Sequence, residues 1–211
     1  MKKHVRVYIE GGAVGKTADN DFRRGWKKFL HELHELARQN GYQSLEVVRG
    51  KGRGNAYRGF SHYKKQFPDD LCVLLVDAEM VVPADVNVWD VVAKRDGDQW
   101  TRPDWATEQH LYLMVAFVET WLLTDQDALA AFFKRDFNVK PLPATDLENC
   151  SKDDLEHALK QATKNCKKGP YRHGQAHEVI EYVSPEKVRK LSHGRRLFDV
   201  LRDLIINQDE I

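Results

Sequence analysis

The sequence predicts an α/β fold in which a parallel sheet is flanked by helices and followed by a mainly helical C-terminal elaboration. Strand and helix patterns alternate through the first 80 residues, which is typical of right-handed crossovers between parallel strands. The strand-like runs are mainly apolar, and the run at residues 71–76 is unbroken, as expected for strands that helices cover on both faces. We therefore divide the chain into an α/β core at residues 1–107 and a helical elaboration at residues 108–211, packed together as one compact unit.

Three apolar runs predict the strands of the core. Residues Val5–Ile9 form a short run rich in β-branched and aromatic side chains, and residues 45–48 form a second run. The run at residues 71–76 is the clearest, because every residue in it is apolar and several are β-branched or aliphatic. The core is therefore expected to contain three parallel strands.

Helices are predicted between these strands. Apolar residues recur at helical spacing over residues 22–36, and Gly41 suits the C-terminal end of that helix. A flexible basic loop is predicted at residues 50–54. Asn55 is then placed to cap a short helix that runs through Gln66. The resulting order of strand, helix, strand, helix and strand is that of a parallel sheet.

The rest of the chain predicts mainly helices. Residues 80–104 read as loop with one short helix near Trp89, and residues 108–123 predict one strong, mostly buried helix. Capping residues mark the starts of later helices. They are Asp125, Ser151 and Ser184. An amphipathic helix over residues 197–206 closes the chain.

The composition describes a globular chain without a strong overall charge. Of the 211 residues, 42% are hydrophobic and 31% are charged, and the net charge is +1. These values exclude a disordered chain, and any affinity for nucleic acid must come from local patches. The three cysteines form no CxxC pair, which argues against a disulfide framework or a structural zinc site. Apolar runs fall short of the ~20 residues of a membrane span and a signal-peptide pattern is missing, so we expect a cytoplasmic protein.

Acidic residues follow two of the predicted strands. Glu10 comes directly after the first strand, and Asp77 and Glu79 follow the third. Ligands of open parallel sheets bind outside the carboxyl ends of the strands. If the first and third strands are neighbours, three carboxylates converge there and suit Mg²⁺ or Mn²⁺, which prefer oxygen ligands. The simpler interpretation is that these acids are ordinary turn residues.

A P-loop is a competing interpretation of the first turn. Residues 11–17 read GGAVGKT, close to the pattern of Gly, four residues and then Gly-Lys-Ser/Thr. The first Gly of that pattern falls at position 10, where the chain has Glu10, whose charge would repel the phosphates that a P-loop binds. A small P-loop-like kinase or ATPase that uses Lys16 therefore stays open as an alternative.

Further charged residues are candidates for the same site. Glu119 lies in an apolar stretch, where a lone carboxylate would reach the metal site or pair with a core arginine. The simpler interpretation is a polar stripe with Thr120 and Thr124. His173 and His177 have the spacing of zinc ligands but lack an evident third ligand. Several basic side chains are candidates for contact with a phosphate backbone, although charge runs are usually solvated helix faces. They are Lys16, Arg23, Arg24, Lys27, Arg53, Arg195 and Arg196.

The strand-end acids resemble those of a known domain. An apolar strand followed by Glu10-Gly11, and a later apolar strand followed by Asp77-x-Glu79, are similar to the TOPRIM domain of topoisomerases, primases and OLD-family nucleases. That family carries a Glu after its first strand and Asp-x-Asp after its third, and it binds Mg²⁺ there. This chain has Glu79 where the second Asp is usual. The resemblance implies a TOPRIM-like fold with Glu10, Asp77 and Glu79 as catalytic metal ligands.

A closer resemblance, to a bacterial family of unknown function classed as TOPRIM-like, covers most of the chain. Members of that family are often encoded beside an AAA or ABC-type ATPase, in operons of anti-phage type. The resemblance therefore implies a metal-dependent nuclease subunit with an ATPase partner. The segments that carry it lie within residues 7–12, 23–30, 73–79, 108–125 and 193–198.

We therefore expect a Mg²⁺- or Mn²⁺-dependent nuclease that cleaves nucleic-acid phosphodiester bonds as the effector of an anti-phage defence complex. Asp77 and Glu79 would bind the metal, and Glu10 would bind it or move a proton. The alternative is a non-catalytic module that binds nucleic acid or docks on an ATPase. Assembly into a homo-oligomer is compatible with both.

Overall fold

The computed structural model describes residues 3–11 and 16–207, and within them four strands form one parallel sheet. The order across the sheet is β2-β1-β3-β4, so β1 and β3 are direct neighbours at its centre. The parallel sheet flanked by helices that the sequence predicts is confirmed. The strands are β1 (Val5–Ile9), β2 (Leu45–Arg49), β3 (Leu71–Asp77) and β4 (Leu111–Met114).

The register brings the carboxyl ends of β1 and β3 to the same edge. Ile9 lies opposite Leu75, and the amide of Glu10 donates to the carbonyl oxygen of Leu75 at 3.0 Å. Asp77 therefore stands only slightly beyond Glu10 along the neighbouring strand. This alignment puts the acidic residues that follow the two strands within reach of each other.

Helices and short 3₁₀ turns connect the strands and extend the chain beyond them. Three 3₁₀ turns lie at Glu108–His110, Leu147–Asn149 and His173–Gln175. Within the described ranges, the helix bounds are α1 (Lys16–Phe29), α2 (His31–Gln39), α3 (Arg53–Gln66), α4 (Val88–Lys94), α5 (Val118–Leu123), α6 (Gln126–Phe133), α7 (Lys152–Ala162), α8 (Ala176–Val179), α9 (Pro185–Val188) and α10 (Ser192–Ile206).

Helices cover both faces of the sheet, and β3 and β4 are buried along their whole length, whereas Arg6 of β1 and the middle of β2 are partly buried. Alternate residues of β3 enter two separate hydrophobic cores, with Val73 in one and Leu74 in the other. The larger core contains α1, α2 and most C-terminal helices, and the smaller contains α3 and α4. The two cores hold the central strands rigidly, and the strand ends that carry the acids are fixed with them.

The prediction of one helix over residues 108–123 is wrong. The segment forms a 3₁₀ turn, then β4, then the short helix α5. A short, fully apolar run has no periodicity that distinguishes a buried helix from a buried strand. Here residues 111–114 form a strand because they pair with β3. The proposed boundary between residues 107 and 108 therefore falls before a strand that completes the same sheet.

The predicted and observed boundaries of several helices differ by a few residues. The helix predicted over residues 22–36 is two helices, α1 and α2, which meet at Leu30. Gly41 follows the second with a positive φ of 87°, as its predicted role at the helix end requires. Helix α3 begins at Arg53, so Asn55 lies inside it and does not cap it. The starting positions of α6 and α7 agree with the capping pattern.

The predicted caps at Asp125 and Ser151 are confirmed. The Asp125 carboxylate accepts from the amide of Ala128 at 3.0 Å, and the Ser151 hydroxyl accepts from the amide of Asp154 at 3.2 Å. No helix in the described part of the chain has the length and apolar character needed to traverse a lipid bilayer.

Candidate metal centre

Three carboxylates converge at the carboxyl edge of the sheet, and we call them the acidic cluster: Glu10, Asp77 and Glu79. One oxygen from each lies within 4.8 Å of the others. Glu10 follows β1, Asp77 is the last residue of β3, and Glu79 lies two residues farther on. Glu79 adopts a left-handed φ of 64°, and its amide donates to the carbonyl oxygen of Ala116 at 2.7 Å. The arrangement is the one that the strand-end pattern predicts.

Asp77 is the most buried member of the acidic cluster, with only 5% of the residue exposed. One carboxylate oxygen accepts from the amide of Val118, at the start of α5, at 2.8 Å. Burial raises the pKa of Asp77 well above its usual range, and the negative charges of Glu10, Glu119 and Glu79 add to the effect. A cation bound here would favour the ionised carboxylate that the protein alone disfavours.

Arg53 enters the acidic cluster from the first turn of α3. Its guanidinium lies 3.2 Å from the Glu10 carboxylate and donates to the backbone carbonyl of Asp77. It also binds both oxygens of Asp98, each at 2.8 Å, and packs over the ring of Trp100. Burial raises the pKa of Glu10, and the charge of Arg53 offsets part of this rise. Arg53, which the sequence suggests as a phosphate ligand, thus holds the carboxylate of Glu10 in place.

Lys152 is a member of the site that sequence reasoning missed. It is the first residue of α7, and its ammonium lies 2.6 Å from the carboxylate of Glu79 and over the ring of Phe117. Burial lowers the pKa of Lys152, but the hydrogen bond and charge of Glu79 outweigh burial and raise it. The sequence indicates only the helix cap at Ser151. No local pattern predicts that the next residue, Lys152, contacts Glu79, which lies 73 positions earlier in the chain.

Glu119 adjoins the acidic cluster and has protein partners of its own. It is completely buried in α5. One of its oxygens accepts from the hydroxyl of Tyr171 at 2.6 Å and contacts Nδ1 of His173. Its other oxygen has no hydrogen-bond partner among the described residues. Glu119 therefore pairs with Tyr171 and His173 and not with the core arginine that the sequence suggests, and its complete burial excludes a polar surface stripe. Its charge also acts on Asp77.

His173 and His177, which have the spacing of zinc ligands, contact different partners. The hydrogen bond to Glu119 raises the pKa of His173 to about 9. His177 accepts from the indole nitrogen of Trp26 at 3.2 Å, and burial lowers its pKa to about 4. One ring is thus a cation beside the site and the other is a neutral core residue.

The basic residues of α1 lie on its exposed face. Arg23, Arg24 and Lys27 are all exposed, and Arg24 pairs with Glu181 at 2.7 Å and with Asp21 at 2.9 Å. Lys16 begins α1, but its side chain and residues 12–15 of the P-loop-like turn lie outside the described residues. Whether that turn binds phosphate therefore stays a prediction.

The basic residues of α10 lie elsewhere. Arg196 donates to the carbonyl oxygen of Glu108 at 2.9 Å, and Glu108 precedes β4, at the opposite edge of the sheet from the acidic cluster. Arg195 donates to the carbonyl oxygen of Arg189 at 3.3 Å. The structure therefore does not bring Arg196 to the metal centre.

Comparison with known sequences places the chain in a family. A domain family described as a domain of unknown function (DUF4276) matches residues 14–202. The matched range includes Asp77, Glu79 and Glu119, and Glu10 lies just before it. No curated protein matches the chain, and no solved structure does. Because the match covers most of its length, the chain belongs to the DUF4276 family.

Proposed function

We propose that this protein is a Mg²⁺- or Mn²⁺-dependent phosphodiesterase that cleaves nucleic acid. The observation that carries the proposal is the convergence of Glu10, Asp77 and Glu79 within 4.8 Å at the carboxyl edge of a parallel sheet. Three carboxylates so close repel one another, and a hard divalent cation is the usual means of holding such a group ionised. The oxygen-only donor set fits Mg²⁺ or Mn²⁺ and argues against zinc.

The roles of the residues follow from their positions. Asp77 and Glu79 would hold the cation, and Glu10 would hold it or move a proton. A bound cation supplies activation of water and neutralisation of charge on the departing oxygen. Arg53 orients Glu10 through their ion pair and fixes the end of β3 through the carbonyl of Asp77. Lys152 is placed to exchange its contact with Glu79 for a substrate phosphate oxygen.

The wider assignment is also a proposal. We infer a relationship to TOPRIM domains from the order of Glu10 and Asp77-x-Glu79 on neighbouring parallel strands. The exposed cations Arg23 and Lys27, on the helix that follows Glu10, support contact with a phosphate backbone. A role as effector of an anti-phage complex with an ATPase partner rests on the sequence resemblance alone.

The test is a nuclease assay on plasmid DNA, single-stranded DNA and tRNA, with Mg²⁺ or Mn²⁺ and with EDTA as the metal-free control. We expect cleavage that depends on the metal and falls by about 100-fold or more in Glu10→Gln, Asp77→Asn and Glu79→Gln, because removal of groups that orient a metal costs about 10–100-fold and these groups hold it directly. Calorimetric titration with Mn²⁺ should show binding to the wild type and none to Asp77→Asn.

The matched control is Glu46→Gln. Glu46 is a partly exposed acid near the start of β2, where it pairs with Arg6, so its loss should leave cleavage unchanged. Absence of Mn²⁺ binding by the folded wild type would contradict the proposal. Mn²⁺ binding without cleavage, both alone and with a cognate ATPase added, would favour the non-catalytic binding module.

A further inference from the structure

A groove with an apolar lining lies beside α4, and we call it the α4 groove. It has a volume of about 500 Å³ and is lined by the loop at residues 80–86 and by one face of α4. Exposed large apolar side chains concentrate there, since Met80 is 53% exposed, Val81 39% and Val86 37%. Such a concentration in a concave surface is typical of a ligand site.

The α4 groove is connected to the acidic cluster along the chain and through a series of ion pairs. Met80 in its wall directly follows Glu79. Arg95, at its other side, pairs with Asp98 at 3.0 Å. Asp98 in turn binds Arg53 at 2.7 Å, and Arg53 pairs with Glu10. The groove and the metal centre therefore share a segment of chain and a network of ion pairs.

The walls of the α4 groove are held in place by buried contacts. The carbonyl oxygen of Val82 lies 3.0 Å from Nε2 of the buried His193, which joins the loop to α10. Trp89, on the inner side of α4, is buried and donates its indole N–H to the carbonyl oxygen of Thr107 at 2.9 Å. The groove is therefore a formed pocket rather than a gap between loose segments.

The size and lining of the groove indicate the class of ligand. Its volume lies in the range of small-ligand pockets, about 300–1,000 Å³, and is large enough for a nucleoside. A nucleobase has apolar faces that pack on aliphatic side chains, and polar edges that accept or donate hydrogen bonds. Asp90 and Lys94 supply one carboxylate and one ammonium at the groove, for the base edge and a flanking phosphate.

We propose that the α4 groove binds a nucleoside of the substrate strand next to the phosphodiester that is cleaved. The proposal rests on the proposed function for the identity of the substrate. Binding in the groove itself needs neither the metal nor the acidic cluster, because the lining residues contain no member of that cluster. The two proposals are therefore separable by experiment.

The experiment is an NMR titration of the ¹⁵N-labelled full chain with uncharged deoxynucleosides in EDTA. Without phosphates or metal, the probe reports the groove and not the acidic cluster. We expect amide shifts confined to residues 80–95 and a dissociation constant of about 1 mM or below for at least one base, as weak binding of a small ring system implies. Val86→Lys should weaken binding by about tenfold or more, because it puts a charge in the apolar groove.

Two variants serve as controls. Val139→Lys places the same charge on a valine that is 45% exposed and lies outside the groove, so it should bind like the wild type. Asp77→Asn should also bind deoxynucleosides normally while it loses cleavage. The inference is overturned if no deoxynucleoside shifts residues 80–95, even where cleavage is observed. It is also overturned if Val86→Lys only dissociates a dimer, which would assign the groove to a second copy of the chain.

Discussion

Asp77 is a residue whose buried carboxylate destabilises the fold but is well placed to bind a metal ion. Its carboxylate is almost fully buried, one oxygen binds the amide of Val118, and the nearby acids oppose its ionisation. The cations around the site are directed mainly to other acids, since Arg53 pairs with Glu10 and Asp98, Lys152 with Glu79, and His173 with Glu119. A residue in such surroundings is more typical of a functional site than of a structural ion pair.

Asp77→Asn is expected to stabilise the metal-free protein. The amide is neutral and its oxygen can still accept from Val118, so the free energy of unfolding at pH 7 should rise, because the burial and the nearby acids that raise the pKa of Asp77 no longer oppose a charge. Saturating Mn²⁺ should stabilise the wild type by about 2.7 kcal/mol at 100 times its dissociation constant, and Asp77→Asn by nothing. Urea denaturation in EDTA and in Mn²⁺ measures both effects.

Asp69 is exposed, and Asp69→Asn is the control. It should change neither the free energy of unfolding in EDTA nor the stabilisation by Mn²⁺. A destabilised Asp77→Asn in EDTA would mean that the ionised carboxylate is satisfied by the protein alone. In that case the acidic cluster would have a structural role.

At the scale of elements, the contact between α1 and α8 positions the segment that carries His173. Gly25 lies in α1 where the backbone of α8 approaches closely. A Cβ at this position would stand 2.2 Å from the carbonyl oxygen of His177 and 2.9 Å from a side-chain carbon of Ile180. Gly25 therefore serves close packing between helices, which outweighs its low helix propensity.

Gly25→Ala is expected to destabilise the protein by about 1–3 kcal/mol, because the added methyl group forces α1 and α8 apart. Gly54→Ala is the matched control in α3, where a Cβ meets nothing within 4 Å. That change should be neutral or stabilise by up to about 1 kcal/mol through helix propensity. Thermal or urea unfolding measures the stability of both variants. Equal changes in the free energy of unfolding would contradict the close-packing argument.

At the scale of the whole molecule, the site is assembled from distant parts of the chain. The acidic cluster comes from residues 10–79, whereas Lys152 and His173 come from the helical elaboration. Glu119, itself in the elaboration, binds Tyr171 and His173 and acts electrostatically on Asp77. The elaboration is therefore part of the site and not only a cover for the sheet.

His173 predicts a pH dependence of stability. Its pKa is raised from 6.5 to about 9 by the hydrogen bond to Glu119, so folding favours the protonated ring. The stability it contributes is complete below about pH 6.5 and is lost as the pH rises through about 9. The wild type should exceed His173→Gln in stability at pH 6 by more than it does at pH 9.5.

Denaturant midpoints at the two pH values, measured in EDTA, test this prediction. His31→Gln, at an exposed position on α2, is the control and should show a constant difference from the wild type. A gap between wild type and His173→Gln that grows with pH would show that the ion pair with Glu119 does not form.

The sequence by itself determined the α/β class, the strands β1, β2 and β3, and the places of Glu10, Asp77 and Glu79 at strand ends; their convergence followed only once β1 and β3 were found to be neighbours. These features depend on local patterns, since fully apolar runs make buried strands and parallel strands present their carboxyl ends at one edge. Helix caps at Asp125 and Ser151 are equally local, because a side chain there bonds to an amide three residues away.

Only the tertiary structure decided that residues 111–114 form a strand, because their pairing with β3 outweighs a local pattern that fits helix and strand alike. It also decided that Arg53 binds Glu10 and Asp98, that Lys152 reaches Glu79, and that a groove forms between α4 and the loop at residues 80–86. These contacts join residues tens of positions apart, and their energy depends on burial and distance, which no local pattern of residues encodes.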